Sequence, residues 1–214
     1  YEFKSKVVFL CAPALNSTWI LFNSATDIWP DGLGSSSGEL GHNVMDHHYN
    51  IGASGIVEGY EDRYIFGKRA NGFYIPRFVN IGNDKRDYLR GFGYQGSASR
   101  EGWGREIAEL NIGGDFKDAL TEPGQWTIGA TAFGEILPYH DNKIALDKER
   151  KDKWGLPVLA MDAELKENEL KMRKDMQEEM KAMLAIAGIK NVNTWDNGHA
   201  MGHGIHEMGT ARMG

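Results

Sequence analysis

KVVFLCAPALNSTWILFNS, residues 6–24, is the stretch whose reading decides the fold. Residues 6–11 form a compact apolar run with β-branched members. Such a run predicts a strand buried on both faces, as in a parallel α/β sheet. Pro13 breaks it. Residues 14–24 then set Leu15, Trp19 and Phe22 at helical spacing, with Ile20 and Leu21 widening the stripe. A strand leading at once into a helix is half of a βαβ unit. Lys4 and Lys6 before an apolar run, with an Ala-x-Ala pattern at 12–14, also fit a short signal peptide. The shortness of the run and the lack of an initiator Met favour the strand. A buried strand this close to the first residue predicts a chain that begins in mid-domain. Cys11, the one cysteine, lies within the run and is expected as a small core residue; no intrachain disulfide can form.

Outward from this stretch the pattern changes. Residues 27–43 are rich in Gly, Ser, Pro and Asn and predict an ordered loop. Residues 49–78, 88–95, 126–136, 143–146 and 158–161 carry short alternating or β-branched runs that predict antiparallel strands. Asp162 is placed to cap a long helix whose Leu165, Met172, Met176, Met180, Met183 and Leu184 recur at helical spacing, and Gly188 is placed to end it. A methionine-rich face can bind partners, but packing against the sheet is the better reading. No internal repeat is visible.

The chain has 214 residues with a formal net charge of −6, enough for one large domain or two small ones. The charge disfavours nucleic acid or an anionic membrane surface as the main partner, since both need a basic footprint. Residues 148–153, KERKDK, alternate in sign and read as a solvated face. No run of 18 apolar residues is present, so no membrane-spanning helix is expected.

The chemistry concentrates in GHAMGHGIHEMGTARMG, residues 198–214. His199, His203 and His206 have metal-ligand spacing and would make a zinc site such as that of a hydrolase. Thr210 stands where the HExxH pattern needs its second histidine, and the glycines disfavour the helix that pattern uses. His47 and His48, adjacent in an extended segment, point to opposite faces. As an alternative, one histidine serves as a base for an alcohol proton. Gly209, Thr210 and Gly214 would then form a low-bulk wall for a flat cofactor. A glycine turn with a satisfied histidine is equally open on spacing alone.

Residues 206–214 resemble the H-x-x-G-T-x-x-M-G segment of the glucose–methanol–choline family of flavin oxidoreductases. Residues 7–24 resemble the strand–helix unit of that family's FAD domain, and residues 32–47, GLGSSSGELGHNVMDH, its following loop. Residues 133–142, FGEILPYHDN, resemble the substrate-domain strand and turn of the pyranose-oxidase and glycoside-dehydrogenase branch. The resemblance covers essentially the whole chain in order. It implies a mixed fold, α/β plus α+β: part of a discontinuous, Rossmann-like FAD-binding domain (residues 1–47), an inserted antiparallel-sheet substrate domain covered by helices (48–197), and a return to the FAD domain (198–214).

The same resemblance implies FAD as cofactor, with Asn16, Asp46, His47, Gly209 and Thr210 beside it. It implies that His206 accepts a hydroxyl proton while the alcohol carbon passes a hydride to the flavin N5. The branch implies a sugar or glycoside oxidised at a ring secondary alcohol, C3 or C2, by a dehydrogenase more than an oxidase. It also implies a haem-protein electron acceptor and a small accessory subunit. Gln95 and Arg100, near Tyr94 on a glycine-rich strand, are the candidate substrate contacts; an edge-strand polar residue is the plainer reading of Gln95. The family's Gly-x-Gly-x-x-Gly is absent, its second catalytic residue lies after the Met-Gly phrase, and Pro13 stands where a small residue is usual. The expectation is a piece of a longer polypeptide, bacterial and either periplasmic or cytoplasmic. A non-catalytic fragment or subunit is the remaining alternative.

Overall fold

The computed structural model describes residues 2–65, 72–102 and 112–212. In chain order its elements are α1 (Ala14–Phe22), a 3-10 turn (Ser35–Ser37), β1 (Ile51–Val57), β2 (Phe73–Ile75), β3 (Phe92–Arg100), α2 (Gly114–Thr121), β4 (Trp126–Gly134), β5 (Lys143–Lys151), β6 (Pro157–Asp162), α3 (Glu167–Ile186) and β7 (Lys190–Asp196). The fold is mixed α/β with an antiparallel sheet. It divides into two units. The first comprises Tyr1–His47, Ile136–Lys166 and Ala200–Gly214; the second comprises His48–Glu135 and Glu167–His199. Residues 136–166 thus group with the first unit, where the sequence predicts one unbroken substrate domain over 48–197.

In the first unit, α1 forms where the apolar stripe predicts it. Its Trp19 Nε1 donates to the Pro157 carbonyl at 2.6 Å and ties the helix to the β5–β6 hairpin. Val44, Ile136, Ile144 and Met201 are buried together, with Leu15, Phe22, Leu159 and Leu165 packed on them. The strand predicted over 6–11 does not form. Those residues run without strand pairing, Val8 and Phe9 are more than four-fifths exposed, and Cys11 is exposed rather than in a core. A β-strand is completed by a neighbour's N–H and C=O groups. Among the described residues no segment pairs with 6–11.

The second unit is a five-stranded sheet in the order β2-β3-β4-β1-β7, antiparallel at every pairing. Helix α3 covers one face. Met172, Met176, Met180 and Leu184 are buried against Ile51, Ala53, Phe92, Tyr94, Ala130 and Ala132. Each such side chain contributes about 1.5–3 kcal/mol on burial. The methionine stripe is therefore core. Tyr94 belongs to it too: it is fully buried and its hydroxyl donates to the Met176 carbonyl at 2.7 Å, so it is no ligand platform.

The start of α3 differs from the reading of Asp162 as its cap. Asp162 instead pairs with Lys143 in the hairpin, and the helix begins at Glu167. Glu167 and Glu169 in the first turn suit the positive end of the helix dipole. Leu165 accordingly falls outside the helix and packs in the first unit. Gly188, with φ +80°, follows the last turn as expected. The sequence reading missed α2, an eight-residue helix whose short stripe of Phe116, Ala119 and Leu120 is only half-buried, and β7, whose pairing with β1 carries an irregularity.

Candidate functional site

In the first unit the tail is built onto residues 41–46. Met45 and Met208 exchange both backbone hydrogen bonds at 2.9 Å. Beyond them the Thr210 N–H donates to the His42 carbonyl at 2.9 Å, and the Gly41 N–H to the Thr210 carbonyl at 2.6 Å. On the other side of the same segment, Val44 N–H donates to Asn142 and Ile144 N–H to Gly41. Residues 41–46 are thus held from both edges, and His47 leaves the end of a fixed segment.

The His206 ring lies 4.8 Å from the His47 ring, tilted at 50°. His206 is exposed and His47 half-buried. The two imidazoles come together from positions 159 residues apart (206 − 47) because the tail is paired to the segment that carries His47. His47 and His48 belong to different units. The ring of His47 meets His206 in the first unit, whereas His48 is buried in the second, its Nδ1 3.4 Å from an Arg173 guanidinium nitrogen.

Beneath the pair lies Asp46, 3% exposed. Its Oδ1 accepts the His47 N–H at 2.8 Å. Its Oδ2 accepts the N–H groups of Gly202 at 3.1 Å and Gly204 at 2.9 Å. A Cβ at Gly204 would overlap this carboxylate, so only glycine lets the backbone wrap it so closely. Thr210 is also buried. Its hydroxyl sits 2.7 Å from that of Thr18, which donates to the Ala14 carbonyl at 3.1 Å; Thr210 therefore donates to Thr18 and locks the tail to α1. Asn16 is exposed on the first turn of α1. Gly209 stands between, with φ +89°. Gly214 lies outside the described residues.

The three tail histidines do not converge. His199 lies in the second unit, 2.9 Å from Asn50 Nδ2 and against the Tyr49 ring, while His203 and His206 lie in the first. Among the described residues no group of three His, Cys, Asp or Glu side chains is placed to hold a metal.

The second unit carries a different surface, on the sheet face opposite α3. Pairing aligns Tyr74, Gln95, Thr131, Gly52 and Trp195 in one row across all five strands. A Cβ on Gly52 would overlap the Ala130 carbonyl and lie 2.8 Å from Trp195 Cζ2, so only glycine lets the neighbouring backbone and the indole come this close. Tyr74, Gln95, Ser97, Thr131 and Phe133 line a groove of about 540 Å³ here. Gln95 is exposed in it. Arg100, five positions along β3, faces the other way. It donates to the carbonyls of Glu61, Arg63 and Gly124 and stacks over Tyr64 and Trp126. The structure brings Gln95 to the groove and not Arg100. Thr131 and Trp195 escaped the sequence reading, although strand alternation counted from Gln95 puts them on the same face once the register is known.

No family model matches the chain. The chain is 26% identical over its whole length to 2-methyl-1,2-propanediol dehydrogenase of Mycolicibacterium austroafricanum, covering 39% of that protein. Over 72% of its length it is 25% identical to the fructose dehydrogenase large subunit of Gluconobacter japonicus, covering 28% of that subunit. The chain therefore spans about two fifths or less of the curated relatives it matches. Both relatives are distant, and both are dehydrogenases by name. No helix among the described residues is long and apolar enough to cross a membrane.

Proposed function

We propose that the chain is part of an FAD-dependent dehydrogenase of the glucose–methanol–choline type that oxidises a secondary hydroxyl of a sugar or glycoside to a ketone. The observation that carries the reading is the exposed His206 ring set against His47 on a tail anchored to residues 41–46. Two distant relatives named as dehydrogenases, one of a diol and one of fructose, support it.

The residues present fit one wall of a flavin site. The exposed Asn16 amide and the exposed His206 imidazole offer hydrogen-bonding groups, His47 backs the His206 ring, and Gly209 adds backbone without bulk. Asp46 and Thr210 spend their side-chain hydrogen bonds internally and shape that wall rather than contact a ligand. Bound FAD supplies the two-electron acceptor that protein side chains lack. His206 takes the hydroxyl proton at an exposed ring nitrogen, the task an imidazole performs near neutral pH. In the second unit, the hydroxyl and amide groups of Gln95, Ser97 and Thr131, flanked by Tyr74 and Phe133, suit a ring carrying several hydroxyls, since apolar ring faces stack on aromatics while hydroxyls bond along the row. C3 and C2 are both accommodated by this reading, as is a haem-protein acceptor.

The test is an anaerobic visible spectrum of the full-length protein before and after adding fructose, glucose or methyl glucoside. A flavin spectrum that bleaches with a sugar is expected. A colourless protein rejects the flavin, and bleaching by 1,2-diols but not sugars rejects the sugar. Gln95→Ala is expected to raise KM about fivefold with kcat little changed, the effect of losing one hydrogen bond of about 1 kcal/mol made equally in ground and transition states. Steady-state kinetics on the bleaching sugar checks it; an unchanged KM removes Gln95 from the substrate contacts.

A further inference from the structure

We infer that Asp46 is a positioning residue that sets both imidazoles of the His47–His206 pair. The inference rests on the proposed role of His206 for its catalytic consequence, but not for its geometry. The Asp46 carboxylate is almost fully buried and accepts three backbone N–H groups. One belongs to His47 itself. The other two, from Gly202 and Gly204, belong to the loop that leads into His206. A charge-assisted hydrogen bond is about twice as strong as a neutral one, so a carboxylate is the acceptor best suited to hold three amides at once.

His206 is thereby suspended between two anchors on one short segment. On its N-terminal side the loop at 202–204 is wrapped around the Asp46 side chain. On its C-terminal side Met208 is paired with the Met45 backbone. The three residues between Gly204 and Met208 carry His206 across, and the shared carboxylate fixes the end of the segment from which His47 projects. The spacing of the two rings is thus referred to one buried group. The three hydrogen bonds end on the backbones that carry the two rings, and Asp46 acts through them.

The substitution Asp46→Asn replaces one acceptor oxygen by an NH2 that faces backbone donors. In the full-length enzyme it is expected to lower kcat by about 10–100-fold with KM within about threefold, the scale of a small misplacement of a reacting group. Hydrogen exchange followed by mass spectrometry is expected to rise in the peptide spanning 200–206 and to stay unchanged in the second unit. In a His206→Ala background, Asp46→Asn is expected to cause no further loss, since the group it positions is gone. Equal losses in both backgrounds would make Asp46 merely structural and overturn the inference, as would unchanged exchange at 200–206. If His206→Ala alone leaves the rate unaltered, the proton-acceptor reading fails, and exchange alone then decides whether Asp46 holds the loop. Should Asp46→Asn not fold, Asp46→Glu keeps the charge, displaces it by one methylene, and is read by the same two measurements.

Discussion

His206→Ala in the full-length protein is expected to slow anaerobic flavin reduction by sugar by about 10²–10⁴-fold, the usual contribution of a positioned acid–base group. Flavin content should be unchanged. The reasons lie in the exposure of the ring and its setting. His206 is exposed, and the tail around it is held by Met45, Asp46 and Thr18 through atoms that do not involve the imidazole. Removing the ring therefore takes away the proposed proton acceptor without loosening what places it. Stopped-flow reduction followed in the flavin band gives the rate, and the absorbance of the denatured protein gives the flavin content. An unchanged reduction rate removes His206 from the mechanism. Loss of flavin with loss of rate would make the residue part of the cofactor wall instead.

The second large effect concerns stability. Arg173 on α3 is 4% exposed, and its guanidinium donates through Nε to Asp196 at 2.9 Å and through a second nitrogen to the same carboxylate. Asp196 also accepts the Gly198 N–H at 2.9 Å. The pair joins α3 to the end of β7. Removing one partner of a buried pair leaves an uncompensated charge and costs about 3–5 kcal/mol. The Asp196 side chain is 30% exposed, so solvent screening reduces the expected loss for Asp196→Ala to about 2–3 kcal/mol. A loss of that size lowers the midpoint of thermal unfolding, which calorimetry of the full-length protein reads.

The same pair has a definite pH dependence. The hydrogen bond from Arg173, opposed by burial and aided by the Gly198 N–H, holds the Asp196 carboxyl below the usual carboxylate range. A group whose pKa is lowered on folding stabilises the fold fully above its unfolded pKa. That stability is lost as pH falls through the folded value. The urea midpoints of the native protein and of Asp196→Asn are therefore expected to differ most near pH 7 and to converge on the acid side of the ordinary aspartate range. A gap that stays constant down to acid pH would show that the carboxylate charge does not hold α3 to β7.

Several features were legible in the residues alone, and they share a local cause. Leu15, Trp19 and Phe22 specify α1 by their spacing over two helix turns. Met172, Met176, Met180 and Leu184 specify the buried stripe of α3 in the same way. The alternating runs located β1 to β6, with β3 and β5 extending past the ends they predict, because strand alternation is also a property of a few consecutive residues. The candidate base was legible from the motif that contains it, HEMGTARMG.

What tertiary structure decided depends on partners far away in the chain. Tyr94 and Gln95 are neighbours on one strand, and sequence does not say which is inside. Packing of α3 turns Tyr94 to the core and leaves Gln95 to the groove. Residues 6–11 have the composition of a buried strand, yet a strand exists only where another supplies its ladder, and none among the described residues does. Asp162 has the chemistry of a helix cap and is consumed by pairing with Lys143. Asp46 is singled out in the sequence only through the resemblance, as a residue beside the cofactor. Its three hydrogen bonds, two of them to glycines 156 and 158 positions away, exist only because the tail folds back on residues 41–46. Propensity and periodicity act over a few residues and are written in the chain. The partner of a strand edge or a buried carboxylate is chosen by the packing of distant segments, so only the folded molecule reveals it.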